Sequence, residues 1–257
     1  MNQLDRDGVV LHFADVGKGA PPLVLLHGLA CDHTFFAPQI EHFRKEHRVV
    51  AVDLRGHGKS GKPEQEYTVA VFADDVAWLC YELGVHAPVI VGHGLGGQIG
   101  LEVAARFPDL PAAIVAVDAL ILPPSETCAV LRQYPPHPPG LACHEGLPSP
   151  VKEILLSGAN LPFKDHLMEM AAAASPQAVV SAWENAFTWD GAAAAIVCEA
   201  PLFYIDSGTK SADLQRLGEL CQQLTIGRST GAGHLHGLET PEKVNAMIDR
   251  FLDELPT

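Results

Sequence analysis

Short apolar runs alternate with amphipathic stretches along the first half of the chain. Four of these runs are apolar at every position: Leu23–Leu26, Val49–Val52, Val89–Val91 and Ile114–Val117. Uninterrupted apolar runs of this length are typical of parallel strands that are buried on both faces. A further strand is predicted at Val9–Phe13.

Helices are predicted between these strands. Residues 68–83 place apolar side chains three and four positions apart, and residues 95–106 follow a glycine-rich turn. Strands that alternate with helices predict an α/β fold with a mostly parallel, doubly wound sheet that is covered on both faces.

The second half begins with a different composition. Residues 122–150 contain eight prolines, which predicts no regular central element there. An alanine-rich helical stretch is expected at 151–195, including 168–174 and 179–187. We therefore predict a helical cap insertion at residues 122–200, above the edge of the sheet where strands end and ligands of open α/β sheets bind.

The strand and helix alternation then resumes. Strands are predicted at Leu202–Ile205 and Leu224–Gly227, and helices at 211–223 and 241–254. Residues 1–121 and 201–257 would thus form the two parts of a single core domain.

Net charge, apolar runs and cysteine spacing argue against several classes of protein. A net charge of −14 argues against nucleic-acid binding and against an anionic membrane surface. We expect no secretory signal, because no apolar stretch follows a basic start, and no run approaches the ~18 apolar residues of a membrane span. The six cysteines are scattered without a C-x-x-C pair, so reduced thiols and a cytoplasmic location are expected.

Glycine-rich residues follow the run at Val89–Val91. Gly92-His93-Gly94-Leu95-Gly96-Gly97 matches the strand-to-helix turn G-x-S-x-G, except that Gly94 stands where that pattern has serine. Glycine adopts positive φ without penalty, so the turn is kept while the hydroxyl that would attack a carbonyl is absent.

Three other segments accompany this turn in a fixed order. His27-Gly28 ends a strand, Asp53–Ser60 (DLRGHGKS) follows the next one, and Gly231–His234 (GAGH) precedes the last helix. In order and spacing, the four segments resemble the α/β-hydrolase superfamily over nearly the whole chain, excepting residues 122–200.

The resemblance implies roles for individual positions. Gly94 occupies the nucleophile position, His234 is the general base, and the backbone N–H groups of Leu29 and Leu95 form the oxyanion hole. Packing is the expected role of His93. The candidate substrate contacts are His27, Gly28, His93, Trp183 and Phe187.

Neighbouring polar residues are expected to be structural. Arg55 and His57 are predicted to hold their loop together, and Cys31, near the oxyanion segment, is expected to be buried and inert.

The acid that would orient His234 has two candidates. In the family it commonly follows the seventh strand as Gly-x-x-Asp, and no carboxylate falls at that position here. Asp213 comes three residues late and suits a helix start, whereas Asp118 follows the strand at Ile114–Val117, the other known location. The pattern favours Asp118 over Asp213.

Three functions compete. The first is a hydrolase of a carboxylic ester or lactone of a small apolar or aromatic molecule, inactive or impaired because Gly94 replaces the serine. The second is an enzyme that uses a His234–Asp118 dyad as general base. His27–His33 and Ile205–Leu217 are similar to the cofactor-independent ring-cleaving dioxygenases of this fold, although those enzymes also carry the serine. The third is a non-catalytic small-molecule binding protein.

The predicted partner is in each case a small molecule. Trp183, Phe187 and Trp189 suggest an apolar or aromatic one, although they suit a cap core equally well. We expect no cofactor and no metal, since the thirteen histidines show no H-x-x-x-H pair or Cys/His quartet, and no phosphate-binding G-x-x-x-x-G-K-[ST] motif is present. The sequence predicts no particular oligomeric state.

Overall fold

A computed structural model describes residues 1–132, 163–229, 231 and 233–255. Its eight strands are β1 (Asn2–Arg6), β2 (Val9–Val16), β3 (Leu23–Leu26), β4 (Val49–Val52), β5 (Val89–His93), β6 (Ala113–Val117), β7 (Leu202–Asp206) and β8 (Leu224–Arg228). They form one sheet in the order β1-β2-β4-β3-β5-β6-β7-β8. β2 pairs antiparallel with β1 and β4, and every other pair is parallel.

The helices are α1 (Ala37–Phe43), α2 (Val69–Glu82), α3 (Leu95–Arg106), α4 (Ser125–Arg132), α5 (Lys164–Ala173), α6 (Pro176–Thr188), α7 (Gly191–Val197), α8 (Leu214–Leu220), α9 (His236–Glu239) and α10 (Pro241–Asp253). A 3₁₀ turn at His33–Phe36 precedes α1.

Alternation along each strand divides the core between the two faces of the sheet. In β3, Val24 and Leu26 contact the cluster that contains α2, α3, α7 and α8 side chains, while Leu23 and Leu25 contact the cluster that contains α1 and α10 side chains. Both faces are thus covered, because each buried parallel strand presents apolar residues in both directions. The predicted α/β, doubly wound fold is confirmed.

Two elements differ from the prediction at the start and the end of the chain. The first hairpin, in which Leu4 pairs with Leu11, was not predicted, because β1 is mostly exposed and carries no apolar alternation. The helix expected at 211–223 is shorter and spans Leu214–Leu220 (α8). The side chain of Asp213 caps its start by accepting from the backbone N–H of Arg216. The backbone N–H of Asp213 donates to the carbonyl of Leu122, which holds the chain before the helix.

The proline-rich segment contains a helix, contrary to the prediction. α4 (Ser125–Arg132) begins directly after Pro123 and Pro124, where proline is tolerated, and ends before the next proline. The predictions for 133–150 and for the start of the helical stretch at 151–162 lie outside the described residues. The remaining part of that stretch is helical, as α5, α6 and α7.

The helices α5 and α6 contact loops at the carboxyl ends of the strands. The side chain of Thr34, after β3, bonds His166 on α5 at 2.8 Å, and the N–H of Ser175, which caps α6, donates to the carbonyl of Gly56, after β4. Within the described residues, no helix is long and apolar enough to cross a membrane.

Candidate active site

The turn between β5 and α3 is built around close backbone contacts. A Cβ on Gly92 would lie 2.1 Å from the carbonyl oxygen of Gly96, and one on Gly96 would lie 1.9 Å from the carbonyl oxygen of Leu26. A larger residue at 92 would therefore push the start of α3 away from β5, and one at 96 would push it away from β3. Gly94 sits at the apex with φ 53° and ψ −115°, outside the regions that residues with a side chain favour. The strand-to-helix turn with positive φ at Gly94, predicted from the sequence, is present.

His234 faces the apex of this turn. A Cβ placed at Gly94 would lie 3.6 Å from Nε2 of His234 and 3.8 Å from Cα of Gly28. A side chain at position 94 would consequently point into the space between the imidazole and the loop that follows β3.

The other ring nitrogen of His234 bonds the acid that follows β6. Nδ1 of His234 lies 2.6 Å from Oδ2 of Asp118, whose side chain is fully buried. Burial acts to raise the pKa of Asp118, but the hydrogen bonds from His234 and Thr209 and the charge of His234 outweigh it and hold the pKa at about 2. Because this carboxylate is ionised, Nδ1–H of His234 donates to it, and Nε2 is the ring nitrogen that faces position 94.

The two candidate acids, Asp118 and Asp213, have different partners in the structure. Asp118 contacts His234 directly, whereas Asp213 accepts from Arg216 N–H at the start of α8. Asp213 therefore caps a helix, and the alternative in which it orients His234 does not agree with the geometry.

Two interactions fix the backbone that carries His234. Oε2 of Glu239, at the end of α9, accepts from the backbone N–H of Gly233 at 2.6 Å. The Nε2–H of His93 donates to the backbone carbonyl of His234 at 2.9 Å. The loop is thus held from α9 on one side and from β5 on the other.

The predicted oxyanion segments lie on both sides of Gly94. Leu95 is the first residue of α3, so its backbone N–H has no acceptor within the helix. Leu29 follows Gly28, in a turn closed by a bond from Cys31 N–H to the Gly28 carbonyl, and Ala30 has φ 59°.

Two predicted substrate contacts are engaged by the protein itself. Nδ1–H of His27 donates to the Gly28 carbonyl at 2.8 Å, and Nε2 accepts from Leu54 N–H at 3.1 Å. The ring is fully buried, and burial lowers the pKa of His27. With both nitrogens occupied, His27 ties β3 to β4 and has no polar atom left for a ligand, so its predicted place in the pocket is wrong. His93 is buried as well, stacked on Phe35 with ring centroids 4.4 Å apart.

Of the other candidate contacts, Gly28 lies in the loop after β3, and Trp183 and Phe187 lie on α6. A Cβ on Gly28 would lie 2.7 Å from Nδ1 of His93, so only glycine allows the loop to approach β5 here. Trp183 is 9% exposed and meets Phe187 edge to face at 4.8 Å. Trp183 is part of the apolar cluster that Leu29 and Phe187 border, so it is mainly a packing residue, while Phe187 is half-buried.

The residues predicted to be structural are structural. Arg55 pairs with the carboxylate of Asp75, and His57 donates from Nδ1 to the Arg55 carbonyl at 3.0 Å. Burial lowers the pKa of His57 to about 3. Burial also raises the pKa of the Cys31 thiol to about 12, which makes this thiol unreactive at neutral pH.

One group of potential metal ligands occurs among the described residues, formed by Asp32, His33 and Asp53. Asp53 already accepts from the backbone and ring N–H groups of His33 and from Lys59 N–H, and Asp32 accepts from Thr34. These bonds anchor the loops after β3 and β4, which gives the three side chains a structural role.

The comparisons with known proteins agree with this geometry. A family model described as alpha/beta hydrolase fold matches residues 21–143. The enol-lactonase of Burkholderia xenovorans superposes with a TM-score of 0.84 over 98% of this chain and 100% of that chain, at 20% identity. These similarities show that the chain has the α/β-hydrolase fold.

Two further relatives indicate the range of chemistry in similar proteins. The 2-(acetamidomethylene)succinate hydrolase of Mesorhizobium japonicum is 34% identical over 116 residues, 45% of this chain and 41% of that protein. A putative carbamate hydrolase of Serratia proteamaculans is 38% identical over 129 residues, 48% of each chain. The matches thus span less than half the length of these curated relatives.

A second similar structure is that of a glycine variant. The crystal structure of a Ser→Gly mutant of the N-acyl homoserine lactonase AidH, complexed with N-hexanoyl homoserine lactone, superposes with a TM-score of 0.79 over 99% of this chain and 97% of that chain, at 24% identity.

Sequence reasoning missed Glu239, His236 and Thr209. Glu239 acts by accepting a hydrogen bond from the loop that carries His234, and no motif marks it. His236 lies two residues after His234, buried, and its ring nitrogens have no hydrogen-bond partner among the described residues. Thr209 could have been found from its position in the sequence, because it lies after the seventh strand, in the region where the family commonly places its acid.

Proposed function

We propose that this chain is an α/β-hydrolase that binds a carboxylic ester or lactone of a small apolar or aromatic molecule, and that Gly94 removes its covalent route. The observation that carries the proposal is the 3.6 Å separation between Nε2 of His234 and a Cβ built at Gly94. A hydroxymethyl group there would stand within reach of the imidazole, which is oriented by Asp118.

The groups that remain have defined roles in this proposal. In a serine-containing form, His234 would take the proton of the hydroxyl as it attacks the acyl carbon, and Asp118 would stabilise the resulting imidazolium. The N–H groups of Leu29 and Leu95 would stabilise the oxyanion, at about 2.7–4 kcal/mol per donor. Without the hydroxyl, binding and the oxyanion donors remain, which supports a residual rate of only about 10³–10⁴-fold over water.

Two observations support the proposed substrate class: the substrates of similar proteins and the apolar side chains of Leu29 and Phe187. Similar proteins include two lactonases, a 2-(acetamidomethylene)succinate hydrolase and a putative carbamate hydrolase. A glycine mutant of the same fold has been crystallised with a lactone, which supports lactone binding by a chain with Gly94. The half-buried Leu29 and Phe187 would supply apolar contacts.

We assign residues 122–200 to a cap and residues 1–121 with 201–257 to the core. The contacts of α5 and α6 with Thr34 and Gly56 support this assignment, because those residues follow the carboxyl ends of β3 and β4. The proposed reaction needs neither metal nor cofactor.

A second candidate is a cofactor-independent dioxygenase, in which His234 removes an acidic proton from the substrate. The observation that favours it is the position of Asp118 after β6, where those enzymes carry their acid. Oxygen consumption with a 3-hydroxy-4-quinolone-type compound tests it, and a lack of consumption across such compounds rejects it.

Hydrolysis by Gly94→Ser tests the first proposal. The wild-type chain, Gly94→Ser and Gly94→Ala would be compared on a panel of esters and lactones. We expect Gly94→Ser to gain hydrolysis while Gly94→Ala does not, because the alanine fills the same space without a hydroxyl. Equal rates in all three chains, together with saturable lactone binding, would instead indicate a binding protein.

A further inference from the structure

The loop after β7 brings a hydroxyl to the carboxylate of Asp118. Oγ1 of Thr209 lies 2.9 Å from Oδ1 and 2.8 Å from Oδ2 of Asp118, so it straddles the carboxylate. Oδ2 also accepts from Nδ1–H of His234 at 2.6 Å. Thr209 and His234 therefore contact the same acid.

Two serine hydroxyls determine where the Thr209 proton points. Oγ of Ser211 lies 2.7 Å from Oγ1 of Thr209, and Oγ of Ser207 lies 3.2 Å from it. A hydroxyl has one proton and two acceptor lone pairs. An ionised carboxylate is the strongest acceptor present, so the Thr209 proton goes to Asp118, and Ser207 and Ser211 donate to Thr209.

The backbone on both sides of this contact is held in an uncommon conformation. Asp118 has φ 47° and Lys210 has φ 59°, although neither is glycine. Such residues persist where surrounding interactions hold them, and they are enriched at functional sites. The turn at Lys210 separates Thr209 from Ser211 in the chain, yet their hydroxyls meet at 2.7 Å.

We infer that Thr209 is a positioning residue, which fixes the Asp118 carboxylate in the orientation that holds the His234 imidazole towards position 94. The loop after β7 thereby keeps a part in the site: the acid follows β6, and the β7 loop supplies the hydroxyl that restrains it. The expected effect of Thr209 on hydrolysis rests on the hydrolase function proposed above. Its effect on the geometry of His234 and Asp118 does not depend on that function.

The direct test observes the proton between His234 and Asp118 by NMR in the chain that carries Gly94. A hydrogen bond of 2.6 Å to an ionised carboxylate gives a proton resonance well downfield of the amide region, which Asp118→Asn should abolish. We expect Thr209→Val to shift or broaden this resonance and Thr209→Ser to retain it. Thr225→Val, the same substitution at an exposed position on β8, is the matched control and should leave it unchanged.

Kinetics in the Gly94→Ser background provide the second readout. There we expect Thr209→Val to lower kcat roughly ten- to a hundred-fold with KM nearly unchanged, and Thr209→Ser to restore it. An NMR resonance that is missing from the Gly94 chain, or that is identical in Thr209→Val, overturns the inference. If Gly94→Ser hydrolyses nothing, the hydrolase proposal fails, while the NMR comparison still decides the role of Thr209.

Discussion

The imidazole of His93 donates from Nε2 to the backbone carbonyl of His234 at 2.9 Å. This bond joins the turn that carries Gly94 to the loop that carries the proposed base. Burial lowers the pKa of His93 well below its usual range, with a smaller contribution from His234, so the ring is neutral. In that state Nδ1 is an acceptor, and it has no partner among the described residues. The position and orientation of His234 thus depend on His93 in β5 and on Asp118, which follows β6.

Replacing His93 tests this connection. His93→Phe keeps a ring that can stack on Phe35 but removes the donor. The partly buried carbonyl of His234 would then lose its donor, which costs about 0.5–1.5 kcal/mol. Urea unfolding should show this loss of stability, and an unchanged unfolding free energy would mean that the bond contributes nothing.

Removing the charge of each candidate acid gives two different outcomes. In the Gly94→Ser background, Asp118→Asn should lower kcat by roughly four orders of magnitude, because the amide no longer holds the imidazole in the reactive tautomer. Asp213→Asn should leave kcat unchanged and alter stability by less than about 1 kcal/mol, since asparagine also caps helices. A large kcat effect of Asp213→Asn would contradict the assignment.

Stability should depend on pH through buried neutral histidines. His236 is fully buried, and burial lowers its pKa to about 4 despite the opposing attraction of Asp118. An unfolded histidine binds a proton below about pH 6.5, so between pH 6.5 and 4 the unfolded state binds more protons. The stability that His236 contributes is therefore complete above about pH 6.5 and is lost as the pH falls to about 4.

The variant His236→Leu isolates this contribution. Neither ring nitrogen of His236 has a partner among the described residues, so an apolar replacement breaks no bond that the structure shows. Urea unfolding between pH 7 and 4 should show a flatter decline for His236→Leu than for the wild-type chain. His86→Leu, at an exposed position, is the control and should retain the wild-type slope. Equal slopes in all three chains would contradict the prediction.

Much of the fold was predictable because the central strands are apolar on both faces. The predicted boundaries of β3 and β4 agree with the structure to the residue, and α3 begins and ends where the sequence placed it. The short α4 was not predicted, because the density of prolines concealed a helix that fits between two of them. β1 was missed because it is an exposed strand that is stabilised by its pairing with β2.

The candidate site was predictable where chemistry is tied to a motif. Gly94 and His234 lie in motifs, and the structure brings them together. The choice between Asp118 and Asp213 needed coordinates, because it depends on which strand end lies beside His234. The buried state of His27 and the approach of Thr209 to Asp118 also depend on loop paths that residue spacing does not determine.

Covalent labelling of Gly94→Ser shows whether position 94 faces an activated base. A fluorophosphonate reacts covalently with a serine hydroxyl only when a base activates it. We predict one equivalent of label on the peptide that contains position 94, no label on the wild-type chain, and loss of label when His234→Ala is added. A correctly folded Gly94→Ser chain that takes up no label would contradict the account.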